Sequence, residues 1–263
     1  MQPLYRSIDE LNADAALFFD PKRPEGDSQG PFIVVQDDFY SDPFAVREVA
    51  LRQNFYQYSP PLAEQVGVII AHEYAREFPD TRPAWLSSSL LRYFGKQVMR
   101  PEHGYRYAPA EVRSAIASII GEHVTEETWE EMGDWWNGAF HMMFEAWSVN
   151  RGSIHHHYKE GDVAPRGWSG LVYLTPDAPP GAGTTIWREK STGRCIAAQG
   201  ARFVRDVSQF ELALLVENRF NRLVLFRENV LHRAEHGIGT TKETSRLTQT
   251  FFFHADRNLH RVV

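Results

Sequence analysis

Two kinds of hydrophobic spacing divide this chain near residue 137. Before that point, the clearest pattern is PAEVRSAIASIIGEHV, in which apolar side chains recur every three or four residues and Gly121 follows a pair of isoleucines. Such spacing places the apolar side chains on one face of a helix, and glycine readily ends a helix because it tolerates a left-handed backbone. The pattern therefore predicts an amphipathic helix that stops at Gly121.

The preceding part of the chain contains a loop, a strand and a second helix signal. Residues 21–31 are rich in proline, glycine and polar residues and predict a loop, and residues 32–36 predict a short strand. A helix is predicted after Asp42, because aspartate caps helix N-termini and Pro43 fits the first turn. The first 136 residues are thus expected to be mixed, with more helix than sheet.

From residue 137 onward, the period of the pattern changes to two. In NGAFHMMFEAWSVN, Phe140 and Met142 fall on one side of a strand, and His141 and Glu145 fall on the other. Further strand-like runs are WSGLVYLT, TTIWRE, RFVRDV, NRLVLFR and SRLTQTFFFH, and turns such as PDAPPGAGT separate them. Short strands without helical crossovers between them predict an antiparallel sandwich or barrel.

Composition and charge narrow the expected partners and location. The net charge is −6 and no block of lysine and arginine is present, which argues against a surface that neutralises nucleic-acid phosphates. The single cysteine, Cys195, excludes an internal disulfide, and no apolar run approaches the roughly 20 residues that span a bilayer. Since the N-terminus has no cationic flank followed by an apolar core, we expect a cytoplasmic protein that does not bind membranes.

The most distinctive polar stretch is SIHHHYKEGD, residues 153–162, which puts three histidines directly after an alternating strand. Barrel and jelly-roll proteins mount ligands at such strand ends. If the strand continues, His155 and His157 point to one side and His156 points to the other. A histidine run is also typical of a polar loop, so this stretch by itself leaves both interpretations open.

Two later sequence features make the ligand-binding interpretation of the histidine run more specific. His232 follows the strand NRLVLFR after a short turn, 77 residues beyond His155, and Arg246 comes 14 residues later. Arg246 and Thr248 are two residues apart and therefore face the same side of their strand. An inward arginine is costly without an anionic partner, which is either a buried acidic residue of the protein or a bound carboxylate.

This order of features resembles the non-haem iron(II), 2-oxoglutarate-dependent oxygenases. In that family, a double-stranded β-helix carries an H-x-D/E pair, a later distal histidine, and an arginine with a serine or threonine two residues on. The segments WSGLVYLTPDAPPGAGTTIWRE and NRLVLFRENVLHRAEHG also resemble a bacterial branch of the family. The resemblance implies a mostly β protein with peripheral helices. A jelly-roll, cupin-like core at about residues 137–255 follows a helical or mixed part at about 1–136, within a single domain of residues 1–263.

The resemblance also implies a role for each matching residue. His155 matches the first iron ligand and His232 matches the distal ligand. Arg246 matches the residue that holds the far carboxylate of 2-oxoglutarate, and Thr248 matches its hydroxyl partner. No catalytic residue is implied beyond the metal ligands.

One position departs from the family pattern, because His157 stands where the carboxylate of H-x-D/E is expected. One interpretation is a three-histidine face of His155, His157 and His232, as in metal cupins and thiol dioxygenases. Imidazole is neutral, so such a face leaves the ion with more positive charge than a face with one carboxylate. Imidazole also suits iron, zinc, copper and nickel alike, so the ligands do not fix the metal.

Two alternatives to this three-histidine face stay open. In the first, Asp162, or less favourably Glu160, folds back from a lengthened loop and supplies the carboxylate. In the second, the register slips and His156 or His157 becomes the first ligand. We favour the pair His155 and His157, with Asp162 as the main competitor.

The implied activity is the oxidation of a C–H bond in a small-molecule or amino-acid-like substrate. Fe(II) is the expected metal, 2-oxoglutarate and O₂ are the co-substrates, and succinate and CO₂ are the co-products. Trp147, Asn150 and Tyr158 are the candidate substrate contacts. The alternative is a three-histidine dioxygenase of the cupin type that does not use 2-oxoglutarate, and a third hypothesis is a non-catalytic binding domain.

The remaining aromatic and histidine residues are given structural roles. Trp168, Tyr173 and Trp187 are expected in the core, as is Trp136, which belongs to an adjacent tryptophan pair. His236 lies four residues after His232 and is a candidate for a group that supports the ligands.

Overall fold

The structure is a computed structural model, and it describes most of the predicted jelly-roll region and more than half of the preceding chain. The described residues are 4–5, 7–18, 32–58, 68–70, 86–89, 92–93, 96–97, 104–131, 136–145, 154–157, 167–196, 203–204 and 207–256. The loop predicted at residues 21–31 lies outside them. No helix in these ranges is long and apolar enough to cross a membrane.

The described helices are α1 (Ile8–Phe18), α2 (Pro43–Leu51), α3 (Ala110–Ile120) and α4 (Glu126–Glu131). Helix α2 begins as predicted, since the Asp42 side chain accepts a hydrogen bond from the Ala45 N–H at 3.0 Å. Helix α3 ends at Gly121, whose φ of 67° is left-handed. Both helix predictions are confirmed.

The strands before residue 137 are short. They are β1 (Ile33–Gln36), β2 (Tyr56–Tyr58), β3 (Val68–Ile70), β4 (Leu86–Ser87), β5 (Arg92–Tyr93), β6 (Lys96–Gln97) and β7 (His123–Val124).

Within the described chain, the later strands are four of the nine strands of the larger sheet and all five strands of the smaller sheet. They are β8 (Phe140–Met143), β9 (Ile154–His155), β10 (Gly167–Tyr173), β11 (Thr184–Glu189), β12 (Phe203–Val204), β13 (Phe210–Val216), β14 (Leu223–Arg227), β15 (His232–Ala234) and β16 (Arg246–Asp256).

The strands from β8 onward are divided between two antiparallel sheets. In the described chain, the larger sheet has the order β1-β14-β10-β16-β8-β4-β2-β3, with β7 also paired to β16, and the smaller has the order β12-β9-β15-β11-β13. Strands β8, β10, β14 and β16 thus face β9, β11, β13 and β15, which is the arrangement of an eight-stranded jelly roll. The predicted jelly-roll core is confirmed, and short N-terminal strands extend its larger sheet at both edges.

The larger sheet is buried on both faces. Its outer face packs Leu247, Phe251 and Phe253 of β16 against helix residues such as Val46 and Ile116. Its inner face contributes a second cluster between the two sheets, which includes Leu171, Tyr173, Ile186, Val224 and Phe226. Because successive side chains of a strand point to opposite faces, each central strand serves both clusters. The alternate positions of β16, such as Arg246, Thr248 and Phe252, therefore point into the barrel.

Strand β13 was not predicted from the sequence. Its sequence, FELALLV, has no regular alternation, and the strand contains a bulge where its pairing with β11 shifts between Ile186 and Trp187. A bulge changes which side chains face inward and so breaks the period of two.

Candidate metal centre and anion site

The structure brings together three histidines that lie far apart in the sequence. One potential ligand atom from each of His155, His157 and His232 lies within 4.8 Å of the others. Strand pairing causes this, because His155 on β9 is directly opposite His232 on β15. His156 is buried and is not part of the group. The arrangement follows the alternation predicted for the histidine run, whereas metal ligation itself stays a prediction.

The orientation of His232 leaves one ring nitrogen for an ion. Its Nδ1 lies 2.8 Å from the Val230 carbonyl oxygen. A carbonyl only accepts hydrogen bonds, so Nδ1 carries the proton and Nε2 keeps its lone pair. Burial, followed by repulsion from His155 and His157, holds the pKa of His232 well below its ordinary value. The ring is therefore neutral at physiological pH, as a metal ligand must be.

Two phenylalanines of the larger sheet contact this histidine group. The ring centroid of Phe226 lies 4.2 Å from that of His232, and the ring centroid of Phe252 lies 5.1 Å from that of His157. Both phenylalanines point into the barrel from strands that flank β10. The histidines thus project from the smaller sheet toward an aromatic wall on the larger sheet.

Arg246 occupies the opposite end of the same interior. Its side chain is buried, with Nε donating to the Ala182 carbonyl at 2.7 Å and one Nη donating to the Gly183 carbonyl at 3.1 Å. The other Nη lies 3.8 Å from the Met143 sulfur, and the guanidinium carbon lies 5.4 Å from the ring centroid of Tyr173. Across the ranges that the structure describes, no salt bridge involves Arg246.

The residues around Arg246 supply neutral polar groups. The Tyr173 hydroxyl donates to Thr184 Oγ1 at 2.8 Å, and burial raises the pKa of Tyr173. Thr248 is buried and pairs with His141 on one side and Tyr173 on the other. Burial and repulsion from Arg246 lower the pKa of His141 to about 3, so this imidazole is neutral at physiological pH. The positive charge at this end of the barrel therefore belongs to Arg246.

Several predicted site residues lie outside the described residues. These are the candidate substrate contacts Trp147, Asn150 and Tyr158, and the competing carboxylates Glu160 and Asp162. His236 is described, and it lines a groove of about 750 Å³ together with Glu145, Asp177 and Glu243. This groove includes none of the three clustered histidines. The predicted role of His236 in supporting the ligands therefore stays a prediction.

Sequence reasoning missed the inner-face neighbours of the predicted residues. Tyr173 was assigned to the core, where it is indeed buried, yet its ring also faces Arg246. His141, Phe226 and Phe252 received no role. The alternating patterns of β8, β14 and β16 indicate that these side chains share one face of their strands. Only the strand pairing shows which of them reach the histidines or Arg246.

Comparisons with known proteins add only distant similarities. No protein-family model matches the sequence, and no curated protein does. Similar solved structures include HygX from Streptomyces hygroscopicus with nickel, 2-oxoglutarate and hygromycin B bound, at 12% identity and a TM-score of 0.40, covering 85% of this chain and 82% of that one. A Pseudomonas putida prolyl-4-hydroxylase shares 14% identity with a TM-score of 0.35, covering 86% of this chain and 94% of that one.

A third similar structure is the Escherichia coli ribosomal oxygenase YcfD, at 12% identity and a TM-score of 0.32. The match covers 87% of this chain and 49% of that one. At these TM-scores and identities, the similarities assign neither a fold nor an activity to this chain.

Proposed function

We propose that the protein is a non-haem iron(II)- and 2-oxoglutarate-dependent oxygenase that oxidises a C–H bond of a small molecule. The observation that supports this most strongly is Arg246. It is a buried cation that has no salt bridge in the described part of the chain, and it shares the barrel interior with three clustered histidines. A buried charge is costly unless it is paired, so the barrel favours an anionic ligand at this position.

The histidine group fits a divalent metal ion. His155, His157 and His232 would hold the ion through neutral imidazole nitrogens, and three protein ligands would leave further coordination positions for other ligands. When bound, iron(II) with a 2-oxo acid and O₂ supplies the oxidation of an unactivated C–H bond, with succinate and CO₂ as co-products. The three neutral ligands leave the full charge of the ion to attract anions.

Arg246 would hold the far carboxylate of the co-substrate. A guanidinium has five N–H donors, and the contacts with the Ala182 and Gly183 carbonyls and the Met143 sulfur leave further donors for a carboxylate. A ligand that contacts both the histidine group and Arg246 carries two acceptor groups separated by a chain, as 2-oxoglutarate does.

The apolar walls between these ends keep water away from both. Leu171, Ile186 and Phe226 line the interior, and all three are buried. A dry environment strengthens the attraction between Arg246 and a carboxylate. The neutral imidazole of His141 adds no second positive charge beside Arg246, so the anion is held mainly at one guanidinium.

A three-histidine dioxygenase that does not use 2-oxoglutarate is the second candidate. The described metal-ligand group, which consists of three histidines and no carboxylate, favours it. In that case, Arg246 would bind a carboxylate of the substrate itself. The two candidates differ in whether 2-oxoglutarate binds the metal-loaded protein.

An anaerobic titration separates them. The purified protein is loaded with Fe(II) and titrated with 2-oxoglutarate, and the weak visible charge-transfer band of the chelate is followed in wild type, Arg246→Leu and Arg188→Leu. The last variant is the control, because Arg188 is partly exposed and paired with Glu211. We expect the band in wild type and Arg188→Leu, and its weakening or loss in Arg246→Leu. Iron binding without a band in wild type would support the second candidate.

The metal ligands are tested in the same way. His157→Ala and Asp162→Asn are compared for Fe(II) affinity by competition with a chelator. If the three-histidine face is correct, His157→Ala loses most of its affinity and Asp162→Asn keeps it. The reverse result would place the ligating carboxylate in the loop.

A further inference from the structure

Ser169 carries a buried hydroxyl that has no hydrogen-bond partner among the described residues. Its side chain is 1% exposed, and within the described residues its Oγ makes no hydrogen bond. Buried polar groups are nearly always hydrogen-bonded, so such an atom is unusual in a folded protein. The neighbouring hydroxyls behave differently, since Thr184 Oγ1 accepts from Tyr173 and Thr250 Oγ1 donates to the Trp136 carbonyl.

Strand pairing places Ser169 opposite the histidine group. Ser169 lies on β10 and is paired with Phe226 of β14 on one side and with Phe252 of β16 on the other. Side chains of paired residues point to the same face of a sheet. Ser169 therefore points into the barrel from between the two phenylalanines, one of which contacts His232 and the other His157.

The size of serine matters at this position. The serine side chain, with a single heavy atom beyond Cβ, is much shorter than the two phenylalanine side chains that flank it on the same face of the sheet. The phenylalanine rings offer the hydroxyl no conventional acceptor. An anionic oxygen at the histidine group would supply one, because an O–H group readily donates to a carboxylate.

We propose that the Ser169 hydroxyl donates a hydrogen bond to a carboxylate oxygen of the 2-oxo acid held at the three-histidine centre. The inference rests on the proposed function and adds a binding residue at the metal end of the co-substrate, while Arg246 serves the far end. The carboxylate involved is the one next to the keto group, since the far carboxylate is held at Arg246.

The experiment compares wild type, Ser169→Ala and Ser88→Ala. Each protein is loaded with Co(II), which is stable in air, and the dissociation constants of Co(II) and of 2-oxoglutarate are measured by calorimetry. The thermal midpoint of each metal-free protein is measured in parallel. Ser88 is the matched control because its buried Oγ donates to the Tyr105 carbonyl at 2.7 Å and accepts from the Phe140 N–H at 2.9 Å.

Ser169→Ala is expected to bind Co(II) within about twofold of wild type and 2-oxoglutarate about tenfold more weakly, the factor for one hydrogen bond to a charged group. Its metal-free thermal midpoint is expected to stay equal or rise, because the hydroxyl has no hydrogen-bond partner to lose within the described part of the chain. Ser88→Ala is expected to show the opposite result, with a lower thermal midpoint and an unchanged 2-oxoglutarate affinity.

Two results would overturn the role of Ser169 alone. One is an unchanged 2-oxoglutarate affinity in Ser169→Ala. The other is a drop in the metal-free thermal midpoint as large as that of Ser88→Ala, which would show that the hydroxyl is structural. Failure of the wild-type protein to bind Co(II) or 2-oxoglutarate would instead overturn the proposed function, and the inference with it.

Discussion

Two buried arginines on opposite faces of the larger sheet have different surroundings. Arg227 at the end of β14 points outward, pairs with the carboxylate of Glu122 and lies with its guanidinium carbon 4.0 Å from the ring centroid of Trp168. The same carboxylate accepts from the Trp168 indole N–H at 3.0 Å. Arg246 at the start of β16 points inward, and its side chain donates to two backbone carbonyls and a sulfur.

This difference separates a structural cation from one that is suited to a ligand. The two side chains are almost equally buried, at 4% and 3% exposure, so desolvation opposes both charges. For Arg227, the protein itself supplies the opposite charge. For Arg246, burial lowers the pKa, and the opposing influence of Tyr173 and Glu235 is smaller. No salt bridge with Arg246 forms within the described residues. A buried arginine thus indicates function when no carboxylate of the described residues forms a salt bridge with it.

The largest expected change in unfolding free energy comes from replacing Arg227, the structural arginine of this pair. Arg227→Leu leaves the Glu122 carboxylate, which is 2% exposed, without its paired cation. Removing one partner of a buried ion pair costs about 3–5 kcal/mol of unfolding free energy. Urea unfolding of wild type and variant measures the loss. The double variant Arg227→Leu with Glu122→Met is the control and is expected to recover most of the stability, whereas a loss below about 1 kcal/mol in the single variant would contradict the assignment.

Arg246→Leu is expected to change the stability of the ligand-free protein by no more than about 1 kcal/mol, because a buried charge is replaced by an apolar side chain. Both carbonyls that accept from Arg246 keep another donor. The Ala182 oxygen accepts from Asn218 Nδ2 at 3.2 Å, and the Gly183 oxygen accepts from the Glu235 N–H at 3.1 Å. The same urea measurement checks this. A loss as large as that of Arg227→Leu would mean that Arg246 is structural.

A third arginine site lies at the surface, and the smallest change in unfolding free energy is expected there. Asp37 pairs with Arg222 at 2.6 Å and with Arg219 at 2.8 Å, and the hydrogen bond from Arg222 lowers the pKa of Asp37. A lowered carboxyl pKa contributes stability above the unfolded-state value of about 3.9, and this is lost as the pH falls through the folded-state value. Because the groups are partly exposed, Asp37→Asn is expected to cost at most about 1 kcal/mol at pH 7.

Unfolding measured from pH 7 down to pH 3 tests the sign of this effect. The difference in stability between wild type and Asp37→Asn is expected to shrink toward the acidic end of the range. A difference that grows as the pH falls would show that the ion pairs of Asp37 do not stabilise the fold.

The sequence predicted the features that depend on local patterns. The ends of α2 and α3 follow from Asp42 and Gly121, and alternation places Arg246 and Thr248 on one face of β16. The clustering of His155 with His232 was inferred from a family resemblance rather than from spacing. The fold-level reason is the pairing of β9 with β15, which no local pattern contains.

Other features depend on contacts between strands and were not predictable in this way. Arg227 and Arg246 both occur in strand-like runs, and nothing local shows that Glu122 lies beside the first and not the second. Ser169 is equally ordinary in WSGLVYLT. Only the pairing of β10 with both β14 and β16 shows that it lies between two rings that contact the histidines.

The most direct test of the role of Arg246 compares two ligands that differ only at the far carboxylate. The Fe(II)-loaded protein is titrated calorimetrically without oxygen with 2-oxoglutarate and with 2-oxopentanoate, which has the same carbon chain and ends in a methyl group. We predict that wild type prefers 2-oxoglutarate by at least about tenfold, the factor for a charged hydrogen bond, and that Arg246→Leu loses this preference. An equal preference in both proteins would contradict the claim that Arg246 holds the far carboxylate of the co-substrate.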